Sequence, residues 1–213
     1  MKRFLLLAFV VLASMSVWAV QKKTYTFAQR DTCELKMDVY QPNDTLKEHP
    51  CVFFIFGGGF KSGERDTPSA VTYMQQLAQT GIVGVAIDYR LGLKGVENVG
   101  LVKLAKLMEN TIDIGVEDAY DAVLYTLKHA EELRINPKQI ILSGSSAGAI
   151  LSLQCDYYLQ NEHPLSNRLP ADFRFSGVVS FAGAIAAFDG KVRYKHQPAP
   201  TFFLHGTKDK LVE

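Results

Sequence analysis

The run Ile140-Ile141-Leu142 enters Ser143-Gly144-Ser145-Ser146-Ala147-Gly148 and passes directly into Ala149-Ile150-Leu151-Ser152-Leu153. A short apolar run bounded by a turn reads as a strand buried on both faces, and the residues beyond it suit a helix. Any fold for this chain must therefore turn from a central strand into a helix within one G-x-S-x-G segment. Such a turn is strained and crowded. Gly144 and Gly148 let backbone approach where a Cβ would block it, and Ser146 stands at the tip as the candidate nucleophile. On this stretch alone, a glycine- and serine-rich connector without chemistry remains the competing reading.

A second segment has the same logic. Val52-Phe53-Phe54-Ile55-Phe56 is a continuous apolar run that ends in Gly57-Gly58-Gly59-Phe60. Three glycines expose backbone N–H groups where side chains would obstruct a substrate. Gly57, Gly58 and Gly59, joined by the N–H of Ala147, are candidate donors to a developing oxyanion. Phosphate-loop readings fail: a dinucleotide fingerprint built on Gly57 and Gly59 needs glycine at Ser62, and a P-loop needs glycine at Phe60. A third apolar run, Ala199–Leu204, reads as another buried strand, followed by His205-Gly206-Thr207-Lys208-Asp209. Asp209, on the loop after a late strand, is the candidate acid, and Ser146 before Asp209 is the chain order of Ser…Asp/Glu…His hydrolases.

Together these motifs make residues 33–213 similar to α/β-hydrolase-fold serine esterases of the group related to hormone-sensitive lipase and bacterial carboxylesterases. Ala86-Ile87-Asp88-Tyr89-Arg90-Leu91 resembles the D-Y-R-L segment after strand 4 of that group. Glu117-Asp118 through Ala122-Val123, then Ile135-Asn136-Pro137, resembles the helix that leads to the elbow strand. The resemblance implies a mostly parallel sheet with helices on both faces, hydrolysis of a small-molecule carboxylic ester with the acyl group on a carbohydrate or a xenobiotic, and no cofactor or metal. It places Tyr89 and Phe60 near a substrate pocket. Two departures stand out. Phe56 occupies the position where the family's loop usually has His, and no His follows Asp209: His49, His129, His163, His196 and His205 all precede it. His205 matches a structural position in the family, and the other four read as ordinary surface. The expectation is a C-terminally incomplete domain lacking its last strand and helix, inactive or weakly active alone, with strand 7 an exposed apolar edge. A serine peptidase of the same fold and a non-catalytic binding relative are the alternatives.

The N-terminus reads as a secretory leader. Lys2-Arg3 is a basic start, Phe4–Ala13 an apolar core, and Val17 and Ala19 fit cleavage after Ala19. Residues 1–19 are then a signal peptide and 20–213 one hydrolase domain, periplasmic or secreted, with no stable membrane span. Losing Lys2 and Arg3 takes the formal charge from +1 to −1, which gives no electrostatic footprint for nucleic acid. Cys33, Cys51 and Cys155 are odd in number and show no thiol-nucleophile pattern.

The remaining periodicity sets the architecture. Lys23–Gln29 and Cys33–Tyr40 read as a hairpin, in which Glu34, Lys36 and Asp38 alternate with Leu35, Met37 and Val39. Helices are expected over Pro68–Thr80, Ile112–Leu133 and Ala147–Tyr158, and strands over Ile82–Asp88, Gln139–Ser143 and Gly177–Ala182. Alternation of the two implies right-handed crossovers and functional loops at the strands' carboxyl ends. Asp88 and Arg90 read as a local ion-pairing or loop-fixing set. Gly92–Asn110 is long for a connection and holds a possible helix beside the site.

Overall fold

The computed structural model describes residues 20–213 apart from 32, 189, 211 and 213; the expected leader lies outside the described residues. Strand β1 (Gln21–Gln29) pairs antiparallel with β2 (Glu34–Gln41), which pairs antiparallel with β4 (Val83–Ile87). Strands β3 (His49–Ile55), β5 (Ile135–Ser145), β6 (Gly177–Phe181) and β7 (Thr201–Leu204) run parallel to β4 in the order β1-β2-β4-β3-β5-β6-β7. All five residues of β4 are buried, as expected of a parallel strand covered on both faces.

The helices cover those faces. Helix α1 (Pro68–Gln79) begins where Thr67 accepts the Ala70 N–H at 3.4 Å and Pro68 presets the first turn. It buries Ala70, Met74 and Ala78, one per turn. Helix α2 (Leu101–Lys128) buries Val116, Ala119, Tyr120 and Val123, four of the six residues of the stripe Val116, Ala119, Tyr120, Val123, Leu127 and Ala130 anticipated from the 3.6-residue period; Leu127 is half-buried and Ala130 lies beyond the helix end. The helix begins eleven residues earlier than expected, because Leu101–Glu109 is rich in strong helix formers. Leu101 and Val102 there stand 85% and 88% exposed. A single turn, α3 (Ala130–Leu133), closes on left-handed Arg134 before β5. Helix α4 (Ala147–Gln160) is buried almost all round, between the sheet and α2.

Some local expectations change. Asp38 is fully buried although its period placed it on the open face; β2 is covered on both sides from Met37 onward. His49 is 2% exposed instead of lying on the surface, its Nδ1 3.0 Å from the Gly81 carbonyl and its Nε2 3.0 Å from the Arg134 guanidinium. Asn136 and Pro137, read as the end of the preceding helix, lie inside β5, next to a register shift against β3. Strand β7, whose apolar run reads as a buried strand, is the exposed apolar edge expected of the incomplete domain: Phe202, Phe203 and Leu204 are 60%, 53% and 58% accessible. As the last strand in the order, β7 has β6 as its one partner among the described residues.

Candidate active site

The parallel strands β3, β5, β6 and β7 all deliver their carboxyl ends to one side of the sheet, and the three motifs lie there. Ser146 links β5 to α4 with φ 51° and ψ −118°, a region in which an L-residue stores roughly 1–3 kcal/mol of strain unless the surroundings fix it. Its surroundings do fix it. Ser146 N–H donates to the Phe181 carbonyl at 2.8 Å, and Ile150 N–H donates to the Ser146 carbonyl at 2.9 Å. The side chain is half-buried, and its hydroxyl has no hydrogen-bond partner among the described residues. A Cβ on Gly148 would stand 2.0 Å from the Ile55 carbonyl oxygen, so α4 can start against the end of β3 only with glycine there. A Cβ on Gly144 would meet the Gly148 carbonyl at 2.2 Å.

The glycine loop leaves β3 alongside this elbow. A Cβ on Gly57 would lie 2.7 Å from the Ser145 carbonyl oxygen and 3.3 Å from Ser146 Cβ, so the loop passes beside the candidate nucleophile with no room for a side chain. Gly58 and Gly59 take φ 127° and 61°. Their N–H groups, and that of Ala147 at the start of α4, carry no backbone hydrogen bond among the described residues. Three unengaged N–H dipoles beside one serine hydroxyl, with a helix N-terminus among them, form a site for negative charge.

The loop is fixed from behind. The Tyr89 hydroxyl donates to the Phe56 carbonyl at 3.1 Å, and the two rings lie 4.5 Å apart between centroids. Burial pushes the Tyr89 phenol well above its ordinary range, so it stays protonated and donating. Leu93 N–H donates to the Phe60 carbonyl at 3.0 Å. Phe60, expected at a pocket wall, is 2% exposed with its ring edge-on to Tyr89, and belongs to the core. Tyr89 does line a recess of about 470 Å³ together with Leu35, Phe56, Gly63, Leu91 and Ile114. Ser146 is not among its lining residues, so this recess lies behind the loop instead of in front of the serine. Farther along, Arg65 reaches Asp88 at 2.7 Å and buried Asp38 at 3.3 Å. Asp88 also accepts the Lys36 N–H at 3.1 Å.

Asp88 and Arg90 thus hold structure, each in its own network. Arg90 binds buried Asp118 through its backbone N–H and its guanidinium, both at 2.9 Å, and pairs with Glu117. Arg30 joins Asp118 and Asp121 at 2.9 and 2.6 Å, while Arg168 pairs with Glu117 and, at 2.5 Å, with Asp121. Three carboxylates on one face of α2 therefore tie the first hairpin, the loop after β4 and the turn after α4 to one helix.

Asp209 follows β7 at the same end of the sheet. Its N–H donates to the Gly206 carbonyl at 3.0 Å, and its carboxylate accepts the Val212 N–H at 3.2 Å and lies 3.4 Å from His205 Nε2. The same ring nitrogen is 2.6 Å from the Val212 carbonyl. The other histidines lie at the opposite end: His49 begins β3, His129 ends α2, and His163 follows α4, stacked on Tyr158. His196 pairs with Glu162 beyond the end of α4. No described hydrogen bond joins any of the five to Ser146. Cys51 and Cys155 are buried, which raises both thiols and leaves them unreactive.

Among known proteins, the family model described as BD-FAE matches residues 37–190. The chain is 25% identical over 179 residues to an acetyl esterase of Salmonella choleraesuis (strain SC-B67), covering 81% of this chain and 50% of that protein. It is 31% identical over 113 residues to an AB hydrolase superfamily protein of Schizosaccharomyces pombe, covering 52% of this chain and 28% of that one. The chain spans about half the length of the acetyl esterases it matches. Among solved structures, a thermophilic esterase from Thermogutta terrifontis superposes with a TM-score of 0.68 at 24% identity, over 90% of this chain and 72% of the other. The esterase Est22 superposes with a TM-score of 0.58 at 21% identity, over 78% and 45%. These likenesses agree with an α/β-hydrolase fold of the hormone-sensitive-lipase and carboxylesterase type.

Proposed function

This chain belongs to the BD-FAE family, and from that premise we propose that it carries the nucleophile and oxyanion donors of a serine hydrolase acting on small carboxylic esters. One observation carries the proposal: Ser146 is held on a strained turn beside Gly58, Gly59 and Ala147, whose N–H groups have no backbone acceptor among the described residues. Ser146 Oγ attacks the ester carbonyl carbon, and its proton passes to a general base, which returns it to the departing alcohol oxygen; in this family type that base is an imidazole. The carbonyl oxygen becomes an oxyanion held by those N–H groups. Collapse expels the alcohol and leaves an acyl-serine, which water then cleaves to the acid and free Ser146. Asp209 has the part of orienting the imidazole. None of the five histidines is assigned as that base, since none is hydrogen-bonded to Ser146 and His205 alone stands at the same end of the sheet. Without a base from elsewhere, the scheme gives weak activity.

The acyl group is taken to be small and the alcohol to be a carbohydrate. Export belongs to the same proposal and rests on Lys2-Arg3, the apolar core Phe4–Ala13 and the small residues Val17 and Ala19. The deciding experiment uses a fluorophosphonate probe on the full chain. Labelling that disappears in Ser146→Ala, with unchanged circular dichroism, supports the reading. Labelling that persists undiminished in that variant places the reactive group elsewhere and overturns the reading, and no labelling of the parent even on prolonged exposure overturns it in favour of a binding role.

A further inference from the structure

Helix α4 carries Ser146 at its start, and the connection from β6 to β7 runs back along its length. That connection leaves β6 beside the elbow, where the Phe181 carbonyl accepts the Ser146 N–H. A Cβ on Gly183 would stand 2.5 Å from Ala149 Cβ, at the first turn of α4. Ala186 N–H donates to Gln154 Oε1 at 3.1 Å, in mid-helix. Tyr194 stands edge-on to Tyr157 with 5.2 Å between centroids, and His196 N–H donates to the Gln160 carbonyl at 3.2 Å, in the last turn. Between Ala182 and Pro200 no helix or strand forms among the described residues. Groups on α4 therefore do for this stretch what a helix or a ladder does elsewhere.

The anchor nearest β7 is a carboxylate. Asp156 is 2% exposed. One of its oxygens accepts the Ala199 N–H at 3.0 Å, and the other accepts Gln160 Nε2 at 3.0 Å. Arg174 is the cation that bears on it, and Tyr120, Cys155 and Tyr194 are the other titratable groups around it. Burial raises the carboxyl above its ordinary range, against the two hydrogen bonds and Arg174. The ionised group accepts at both oxygens. Once protonated, it turns an O–H toward one of two donors, and one of the bonds is lost. Ala199 lies just before β7, and the Pro200 carbonyl next to it accepts the Val178 N–H of β6 at 2.9 Å. Strand β7 has four residues, with β6 as its partner, so its placement depends on how Ala199 and Pro200 are held.

We propose that Asp156 is a positioning residue: by holding the Ala199 N–H from within α4, it fixes the entry of β7, and through β7 the placement of Asp209, against the helix that starts at Ser146. The catalytic consequence rests on the reading of Asp209 as the acid of an acyl-transfer site; the hold on β7 does not. The tests use the full chain. In its amide spectrum, Asp156→Leu should displace the signals of Ala199 and Thr201–Asp209 and spare those of β3 and β5. Asp156→Asn should restore them at neutral pH, because its carbonyl still accepts the Ala199 N–H and the Gln160 amide can turn to accept from its NH2. Displacement spread over the whole sheet, none near Ala199, or an Asn variant that behaves like the Leu variant overturns the hold. If Asp156→Leu does not fold, the parent decides. Its Ala199 signal should move in acid with a midpoint above about 3.9, the unfolded value, and Asp156→Asn should abolish that transition. An Ala199 signal that stays still overturns the proposal. Fluorophosphonate labelling of Ser146 is the catalytic arm: it should slow about 10- to 100-fold in Asp156→Leu and recover in Asp156→Asn. Unchanged labelling while the β7 signals move refutes the part given to Asp209 and leaves the hold standing. A parent that does not label contradicts the acyl-transfer reading alone.

Discussion

Replacing Gly148 with Ala tests the geometry of the site at its tightest point. The new Cβ would stand 2.0 Å from the Ile55 carbonyl oxygen, 2.5 Å from Ile55 C and 2.5 Å from the Phe56 carbonyl oxygen. A carbon and a carbonyl oxygen normally approach to about 3.3–3.6 Å, so more than 1 Å of overlap must be relieved. Neither side yields easily. Ile55 ends a strand paired in parallel on both sides, and α4 is packed against the sheet and α2. Overpacking of this kind destabilises by about 1–3 kcal/mol, at times more; backbone atoms on both sides put this case at or above the upper end. The functional effect should exceed the thermodynamic one. Relief of the clash moves Ala147 N–H away from the glycine loop, and a misplacement of about 1 Å at a reacting centre can reduce rate about 100-fold. The assays are urea unfolding followed by circular dichroism, and the second-order rate of fluorophosphonate labelling at Ser146. Gly100→Ala is the control, because a Cβ there meets nothing within 4 Å. If Gly148→Ala unfolds within about 0.5 kcal/mol of the parent, the range of a neutral surface substitution, and labels at the parent's rate, the contact between β3 and α4 is not as close as argued.

Three further outcomes are expected. Tyr89→Phe removes a buried hydroxyl and leaves the Phe56 carbonyl without its donor, which should cost about 1–3 kcal/mol; kcat should fall more than KM changes, and an unaltered kcat would mean that ring packing alone holds the loop. Burial would raise the Asp38 carboxyl, but hydrogen bonds from Lys22 and Thr24 and the charge of Arg65 outweigh it and hold it below the usual carboxylate range. Its contribution to stability is then present above the unfolded value of about 3.9 and lost as pH falls through the lower folded value, so the gap in urea midpoint between parent and Asp38→Asn should be full at neutral pH and close in acid. Trp18 is the sole tryptophan, so exported material cut after Ala19 should show tyrosine emission only; indole emission from it would refute cleavage there.

The parts of this fold that could be read from residues are those in which one local rule decides. Apolar runs terminated by glycine located β3, β5 and the loops after them, because a strand buried on both faces cannot alternate. The stripe through Val116, Ala119, Tyr120 and Val123 located α2. The failures have a common cause in tertiary cover. Asp38 sits on the face that alternation assigned to solvent, yet Lys22, Thr24 and Arg65 close over it, and Lys22 and Thr24 belong to β1, opposite it. The helix expected within Gly92–Asn110 does form over Leu101–Glu109, where only Leu104, Leu107 and Met108 are partly buried, so propensity more than an apolar stripe marks its start. The cluster of Glu117, Asp118 and Asp121 was visible only as charge. Its arginine partners, Arg30, Arg90 and Arg168, are scattered along the sequence, and nothing local marks them as neighbours.

The two halves of the candidate site differ in how firmly they are held. On the elbow side, the strained Ser146 backbone is bonded to β6 and α4, the glycine loop to Tyr89 and Leu93, and the loop's far end to Asp38 and Asp88 through Arg65. Most of these contacts are buried, so displacing one donor requires breaking several others, which is the condition for pre-organised charge stabilisation. On the acid side, Asp209 follows β7, an exposed four-residue strand bonded to β6, and its described hydrogen bonds are local, within residues 205–212. Elements with few buried contacts open at low free energy. The oxyanion donors should therefore keep their geometry under conditions in which the acid loop already exchanges. Hydrogen exchange would read this directly: amides of β3 and β5 protected to near the global unfolding free energy, and those of 201–209 exchanging far earlier. Equal protection of the two would mean that β7 is held as firmly as the central strands.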